Sequence, residues 1–190
     1  MSTQVIPDSP RFPAVTRESL DPQAQAIWDR RQKIISAGPT GHFNVLMHTP
    51  PLMGLIHDLE TYFRRDSSLT ERERELMTLA IVREAQAKFA WARHERRALQ
   101  CGVSRETVEG LRHQAPLEAL APEDRLMVEL ARALAGARRE LPEELFNRVL
   151  QAKGQRWTIE AIALAGHYTM VGVLIHGFGV VSKPEDEPTF

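Results

Sequence analysis

The chain reads as an all-α protein built around a central antiparallel helix pair, and three observations carry that expectation. Thr70 followed three residues later by Glu73 is a capping-box signature that opens a helix. The apolar run over residues 76–82 leads from that cap into an alanine-rich stretch, which favours a helix over a buried strand. No alternating strand with hairpin turn chemistry occurs anywhere in the 190 residues.

Taken in order, the first 20 residues carry Pro7, Pro10 and Pro13 with little periodicity and predict an extended arm. Pro22 suits the first turn of a helix over 21–36, which Gly38-Pro39 stops. Residues 42–47 lead into a second helix over 50–65, where Leu52, Leu55, Ile56, Leu59 and Phe63 recur at helical spacing. The capped helix from Thr70 is apolar on nearly all sides, so protein must enclose it, either in the core or at a subunit interface. Its partner runs from Ala87 to Gln100 and ends at Gly102. Ser104 begins a short helix, Pro122 opens one over 123–136, Pro142 one over 143–152, and Thr158 caps a long final helix. The organisation expected is an arm and first helix over 1–40, a helical domain over 41–182, and a loose polar tail over 183–190.

Composition narrows the function. Lys and Arg number 24 against 25 Asp and Glu, so no charge surplus favours nucleic acid or an anionic membrane as partner. Cys101 is the single cysteine, which removes an intramolecular disulfide and every multi-cysteine metal site. Residues 159–181 are long and apolar enough to cross a bilayer, but Glu160, His167, Tyr168, Thr169 and His176 interrupt them, and a buried core helix is expected instead. The N-terminus lacks a basic start followed by an apolar block, so the expected location is the cytoplasm.

Chemistry centres on His94. On a helix, Ala87, Ala90, Trp91, His94, Ala98 and Cys101 fall along one face: small residues and an indole around an imidazole. Small side chains leave room for a ligand, and an imidazole among apolar neighbours suits acid/base work. The competing reading is a core histidine bonded to a backbone carbonyl. Trp91 with His167 and Tyr168 of the last helix are expected to shape the substrate pocket. Cys101 stands two turns from His94, ~10.5 Å along the axis, too far for a Cys–His nucleophile pair. The histidines lack metal-ligand spacing, HExxH is absent, and there is no phosphate loop or dinucleotide fingerprint, so neither a metal nor a cofactor is expected.

The stretch LTERERELMTLAIVREAQAKFAWARHERRALQCG, from Leu69 to Gly102, resembles the core helix pair of the carboxymuconolactone decarboxylase / alkylhydroperoxidase D-like superfamily. The likeness extends over about 43–181 and is weakest in the first forty residues. It implies a helical bundle that assembles as a homotrimer or homohexamer. The redox branch of that superfamily uses a Cys-x-x-Cys ahead of the histidine. Counted back from His94, those positions are Ala87 and Ala90 here, so the thiol chemistry is missing. The resemblance also assigns Glu75, twelve residues before the first cysteine position, to the proton relay with His94. The competing reading of Glu75 is a solvated residue in an acidic first helical turn.

Three functions follow. One is a cofactor-independent lyase or isomerase acting on a small carboxylated lactone or related ring, with His94 as acid/base group. The others are a thiol peroxidase-type antioxidant protein, disfavoured by the missing cysteines, and a non-catalytic oligomeric binding protein.

Overall fold

A computed structural model describes residues 11–36, 38–138, 140–181 and 190. Among these, helices and turns are the only regular structure, and the all-α expectation holds. The helices are α1 (Pro22–Gln32), α2 (His42–Leu46), α3 (Pro50–Arg65), α4 (Glu71–Glu84), α5 (Lys88–Gln100), α6 (Arg105–Arg112), α7 (Pro122–Ala135), α8 (Glu143–Lys153) and α9 (Gln155–Phe178).

The cap signals act as the sequence suggests at α4 and α6. Thr70 accepts from the Glu73 amide while the Glu73 carboxylate takes the Thr70 amide, completing the capping box. Ser104 accepts from the Thr107 amide at 3.0 Å. Two boundaries differ. Helix α1 ends at Gln32, because Ile34 and Ile35 are poor helix formers and Gly38, at φ +76°, closes the chain onto the Ile35 carbonyl. Helix α9 starts at Gln155, not at Thr158. Gly154 at φ +81° makes the turn, and the Thr158 hydroxyl bonds back to the Gly154 carbonyl at 2.8 Å.

Helix α4 is the axis of the fold. Residues 76–82 are all within 1% of complete burial, enclosed by α5, α7 and α9. Helices α4 and α5 fold back on each other through Ala85, Gln86 and Ala87, with Gln86 at φ +54°. Gly172 lets α9 approach this turn, since a Cβ there would sit 2.8 Å from that of Ala85. Helix α9 is apolar enough for a membrane span by length and composition, yet much of it lies in this core. A second apolar cluster joins Ala24 of α1, Phe43 and Leu46 of α2, and Met53 and Ile56 of α3 to Met170 and Leu174 of α9.

The segment before residue 41 is continuous with this body. Asn44 exchanges two hydrogen bonds with the Val15 backbone, at 2.9 and 2.8 Å, and the Arg11 guanidinium reaches the Gly177 carbonyl at 2.7 Å. Arg31 is buried in an ion pair with Glu60, which Arg64 completes at 2.8 Å. Residues 1–10 of the expected arm, residue 182 and residues 183–189 of the expected loose tail lie outside the described residues. Phe190 is described, and it is packed: its ring meets Trp91 edge-on at 5.2 Å and lies under the Arg83 guanidinium.

Gly41 fixes the start of α2. Its φ of +58° is one that L side chains rarely adopt, and a Cβ there would collide with the Phe89 ring. Gly41→Ala therefore adds backbone strain and overpacking, each ~1–3 kcal/mol. Denaturant unfolding should show a loss of at least ~2 kcal/mol; a change inside ~0.5 kcal/mol would mean that the loop relaxes freely.

Candidate active site

A cleft opens between the two apolar clusters. Its walls come from α1 (Arg31), the following loop (Ile35, Thr40), α2 (His42, Phe43) and α3 (Glu60). Helix α5 adds Phe89, Ala90, Arg93, His94 and Arg97, and α9 adds His167, Tyr168 and Val171. The empty volume is about 450 Å³, open solvent at the mouth included.

His94 and Glu75 meet at its floor. His94 Nδ1 lies 2.6 Å from Glu75 Oε2, and both side chains are buried. Glu75 is no solvated first-turn residue: it is fully enclosed, with Arg74 Nη2 3.4 Å from its second oxygen. Burial pushes the Glu75 carboxyl up, but the hydrogen bond and charge of His94, with Arg97 and Arg64 behind, outweigh it and bring the pKa down to about 2. Burial also pulls His94 below its ordinary value, against the opposing pull of Glu75. At neutral pH the pair is therefore a carboxylate and a neutral imidazole. The carboxylate accepts a hydrogen bond from Nδ1–H, so Nε2 keeps its lone pair and can accept a proton.

Tyr168 stands between two imidazoles. Its ring is edge-on to His94 at 5.0 Å and to His167 at 4.9 Å, and burial pushes its hydroxyl well above the usual phenol range. The structure thus places three of the five sequence-derived site residues, His94, His167 and Tyr168, in the lining of one cleft, with Glu75 behind His94 and bonded to it. Trp91 is placed elsewhere. Its indole is fully buried, donates to Glu95 Oε2 at 2.8 Å and packs on Phe190, so it takes no part in the lining. The residues of α5 that line the cleft are Phe89, Ala90, Arg93, His94 and Arg97; Ala98 and Cys101, one and two turns beyond His94, do not reach it. Cys101 Sγ bonds the Ala98 carbonyl at 3.3 Å, and burial raises its thiol pKa, which disfavours the thiolate.

Sequence reasoning missed Arg31, His42, Glu60, Arg93 and Arg97. The only signal for the α5 pair was their spacing of one residue before and three after His94. Glu60 is held low by Arg31 and Arg64 despite its burial. Among the described residues no group of three or more His, Cys, Asp or Glu converges as a metal site.

His42 and His167 are buried and held neutral. Burial brings His42 down to about 3 and His167 to about 4, with Glu60 opposing in both cases. A histidine whose folded pKa is depressed stabilises the fold fully above its unfolded value near 6.5, and that contribution fades as pH falls toward the folded value. Each ring should cost about 2 kcal/mol of stability between pH 7 and pH 5. Urea unfolding at the two pH values should show this loss, and His167→Asn should reduce it; equal stability at both would mean that the rings protonate without penalty.

Residues 50–133 match the model of the Carboxymuconolactone decarboxylase family. No curated protein matches the sequence at a significant level. Among solved structures, the fold is shared with an alkylhydroperoxidase AhpD core, an uncharacterized peroxidase-related protein from Ralstonia eutropha JMP134 (18% identity, TM-score 0.79, 95% of each chain covered). It is also shared with the debrominase Bmp8 in complex with 2,3,4-tribromopyrrole (14%, 0.77, 95% of this chain and 97% of that one). A third is an uncharacterized peroxidase-related protein from Silicibacter sp. TM1040 (18%, 0.70, 98% of each chain). At such identities the likeness concerns the fold. Residues 50–133 are thus similar to the Carboxymuconolactone decarboxylase family, and the helical architecture is shared with the alkylhydroperoxidase AhpD core.

Proposed function

We propose that the protein is a cofactor-independent lyase or isomerase of a small carboxylated lactone or related ring, with His94 as its acid/base group. The observation that carries this reading is the buried Glu75–His94 hydrogen bond at the floor of the cleft. It is the orienting arrangement that a catalytic imidazole needs. A ring conjugated to a carbonyl carries its own electron sink. When the carbon–carboxylate bond breaks, carbon dioxide leaves and the electron pair passes into the conjugated system. The resulting enolate then takes one proton at carbon. His94, neutral at rest, relays that proton from water through Nε2, and the Glu75 carboxylate stabilises the transient imidazolium. For an isomerisation the same nitrogen removes a proton from one carbon and returns it to another. Phe43, Phe89 and Val171 supply apolar walls that desolvate a leaving carboxylate. Bmp8 shows the same fold in complex with a small flat ring, 2,3,4-tribromopyrrole.

Thiol peroxidase chemistry lacks its groups in this chain. Ala87 and Ala90 occupy the two positions, and Cys101 lies outside the cleft with its thiol form favoured. Hydroperoxide reduction should be at background level, and robust turnover lost in Cys101→Ser would contradict this.

We also propose that the protein is a homotrimer or homohexamer, with an interface different from the one the sequence suggests. The apolar run over 76–82, which the sequence leaves to the core or a subunit interface, is covered within the chain. The exposed apolar stripe is instead Leu52, Leu55, Leu59 and Tyr62 of α3, spaced along one helical face, with Ile159 of α9 beside Tyr62. Light scattering should give an oligomer that Leu55→Glu dissociates. A wild-type monomer at micromolar concentration would count decisively against it.

The catalytic reading is tested with a carboxylated butenolide labelled at its carboxyl carbon, following label release and proton incorporation from solvent. His94→Gln should lower the rate ~10²–10⁴-fold with helical content intact. Glu75→Gln should have a smaller effect and shift the pH profile. Because the His94 pKa lies below 6.5, kcat/KM should be level through pH 7 and fall only as acid protonates Nε2. Near-normal turnover in folded His94→Gln would sink the assignment.

A further inference from the structure

The cleft holds more polar capacity than the Glu75–His94 pair uses. Neither ring nitrogen of His42 has a hydrogen-bond partner in the protein, nor does Nδ1 of His167 or Nε of Arg31, and all three side chains are at least nine-tenths buried. A buried donor or acceptor left unpaired is costly, and groups converging on one cavity in that condition point to a ligand that pairs them. The charge is also unbalanced. Arg31, Arg93 and Arg97 line the cleft against the single carboxylate of Glu60. Arg31 is committed to Glu60, and Arg93 lies over the Phe89 ring while bonding its carbonyl at 3.1 Å. The Arg97 guanidinium, half-buried one helical turn beyond His94, makes no hydrogen bond or ion pair with the described residues.

We propose that Arg97 is the substrate-carboxylate anchor of this cleft, and that His42 and His167 form a neutral hydrogen-bonding cradle for the ring oxygens of the same ligand. The inference rests on the reading of the cleft as a site for a small carboxylated ring, and it names the groups that would select one. Guanidinium and carboxylate match in a planar, two-bonded geometry that a neutral isostere cannot reproduce. Residues three apart on a helix stand ~5–6 Å from each other at Cβ, so a carboxylate held by Arg97 brings an attached five-membered ring over His94. A carboxylate in that pairing is stabilised, so the group held by Arg97 is one the reaction retains: the sole carboxylate in an isomerisation, and a second carboxylate, beside the departing one against the apolar walls, in a decarboxylation. A neutral imidazole offers one donor and one acceptor, which suits a lactone carbonyl or a ring hydroxyl without adding charge beside the anchor.

The test uses 2-furoate, a flat five-membered ring carboxylate, and its neutral amide, 2-furamide. Binding is followed at about pH 7.5 through the imidazole resonances of the full-length protein. Saturable binding of 2-furoate should shift the His42 and His167 signals, with 2-furamide weaker by roughly tenfold or more. Arg97→Gln should remove the preference for the acid while leaving amide binding within a few-fold, and Arg97→Lys should restore part of it. Equal affinity for acid and amide would overturn the anchor, as would an acid preference that survives Arg97→Gln. Absence of saturable 2-furoate binding up to about 10 mM, a range small fragments reach in a fitting site, would do the same. His94→Gln separates this inference from the catalytic one: whatever its affinity, it should keep the preference for 2-furoate over 2-furamide. Turnover independent of His94 alongside Arg97-dependent binding would sink the lyase reading alone. His94-dependent turnover without an acid preference would sink the anchor alone.

Discussion

A carboxylate enclosed within the most apolar helix of the protein is the constraint on which the rest of the structure turns. Glu75 precedes the run over 76–82 and shares its complete burial. An unpaired charge at such a position would cost several kcal/mol, so the neighbouring helix must bring it a partner. His94 is that partner, and the bond sets the register of α5 on α4: Nδ1 must reach Glu75, which turns Nε2 toward the cleft. The same register carries Ala90, Arg93 and Arg97 into the lining and sends Trp91 away from it. The geometry of the cleft and the packing of the central pair are thus one condition.

A second buried charge plays the same part for the opposite wall. Glu60 is gripped by Arg31 and Arg64, so α1 is tied to α3 by an ion cluster with almost no solvent access. Replacing such a cluster with apolar residues of similar volume often leaves stability unchanged or improved, so its presence is weak evidence for a stabilising role. What it does supply is position. It seats Arg31 against the Phe43 face, 3.7 Å from the ring centroid, and holds α1 and α2 where His42 borders the cavity.

The local signals were legible in the sequence and the distant ones were not. Thr70 and Glu73 act within one turn, so the capping box could be read directly, as could Ser104 and the Pro50 and Pro122 starts. His94 is legible from its helix face, whereas Glu75 and its pairing with His94 across nineteen residues are legible only through the resemblance. Arg31, His42 and Glu60 meet α5 only through tertiary packing, and nothing in their local spacing announces it. Trp91 was misplaced for a geometric reason. It lies three residues from His94, about 60° around the helix axis, and that offset carries it out of the cleft into contact with Phe190. The longest apolar runs satisfy themselves inside the chain. The weaker, periodic stripe of α3 is what stays exposed.

Replacing the thiol pair with alanine changes more than redox capacity. A cysteine at position 90 would project a polarizable, ionisable sulfur from the cleft wall beside His94, where Ala90 presents only a methyl group. With Ala90 there, the imidazole has no nucleophile to activate, and Nε2 is free to act on a carbon or oxygen acid of a bound ring. On the proposed reading Glu75 and His94 handle protons, and their bond is independent of sulfur at positions 87 and 90. A site that keeps its proton relay, its enclosure and a surplus of positive charge while lacking its electron carrier remains suited to proton chemistry on an anion. The physical logic of the cleft therefore favours rearranging a substrate's own electrons over transferring them.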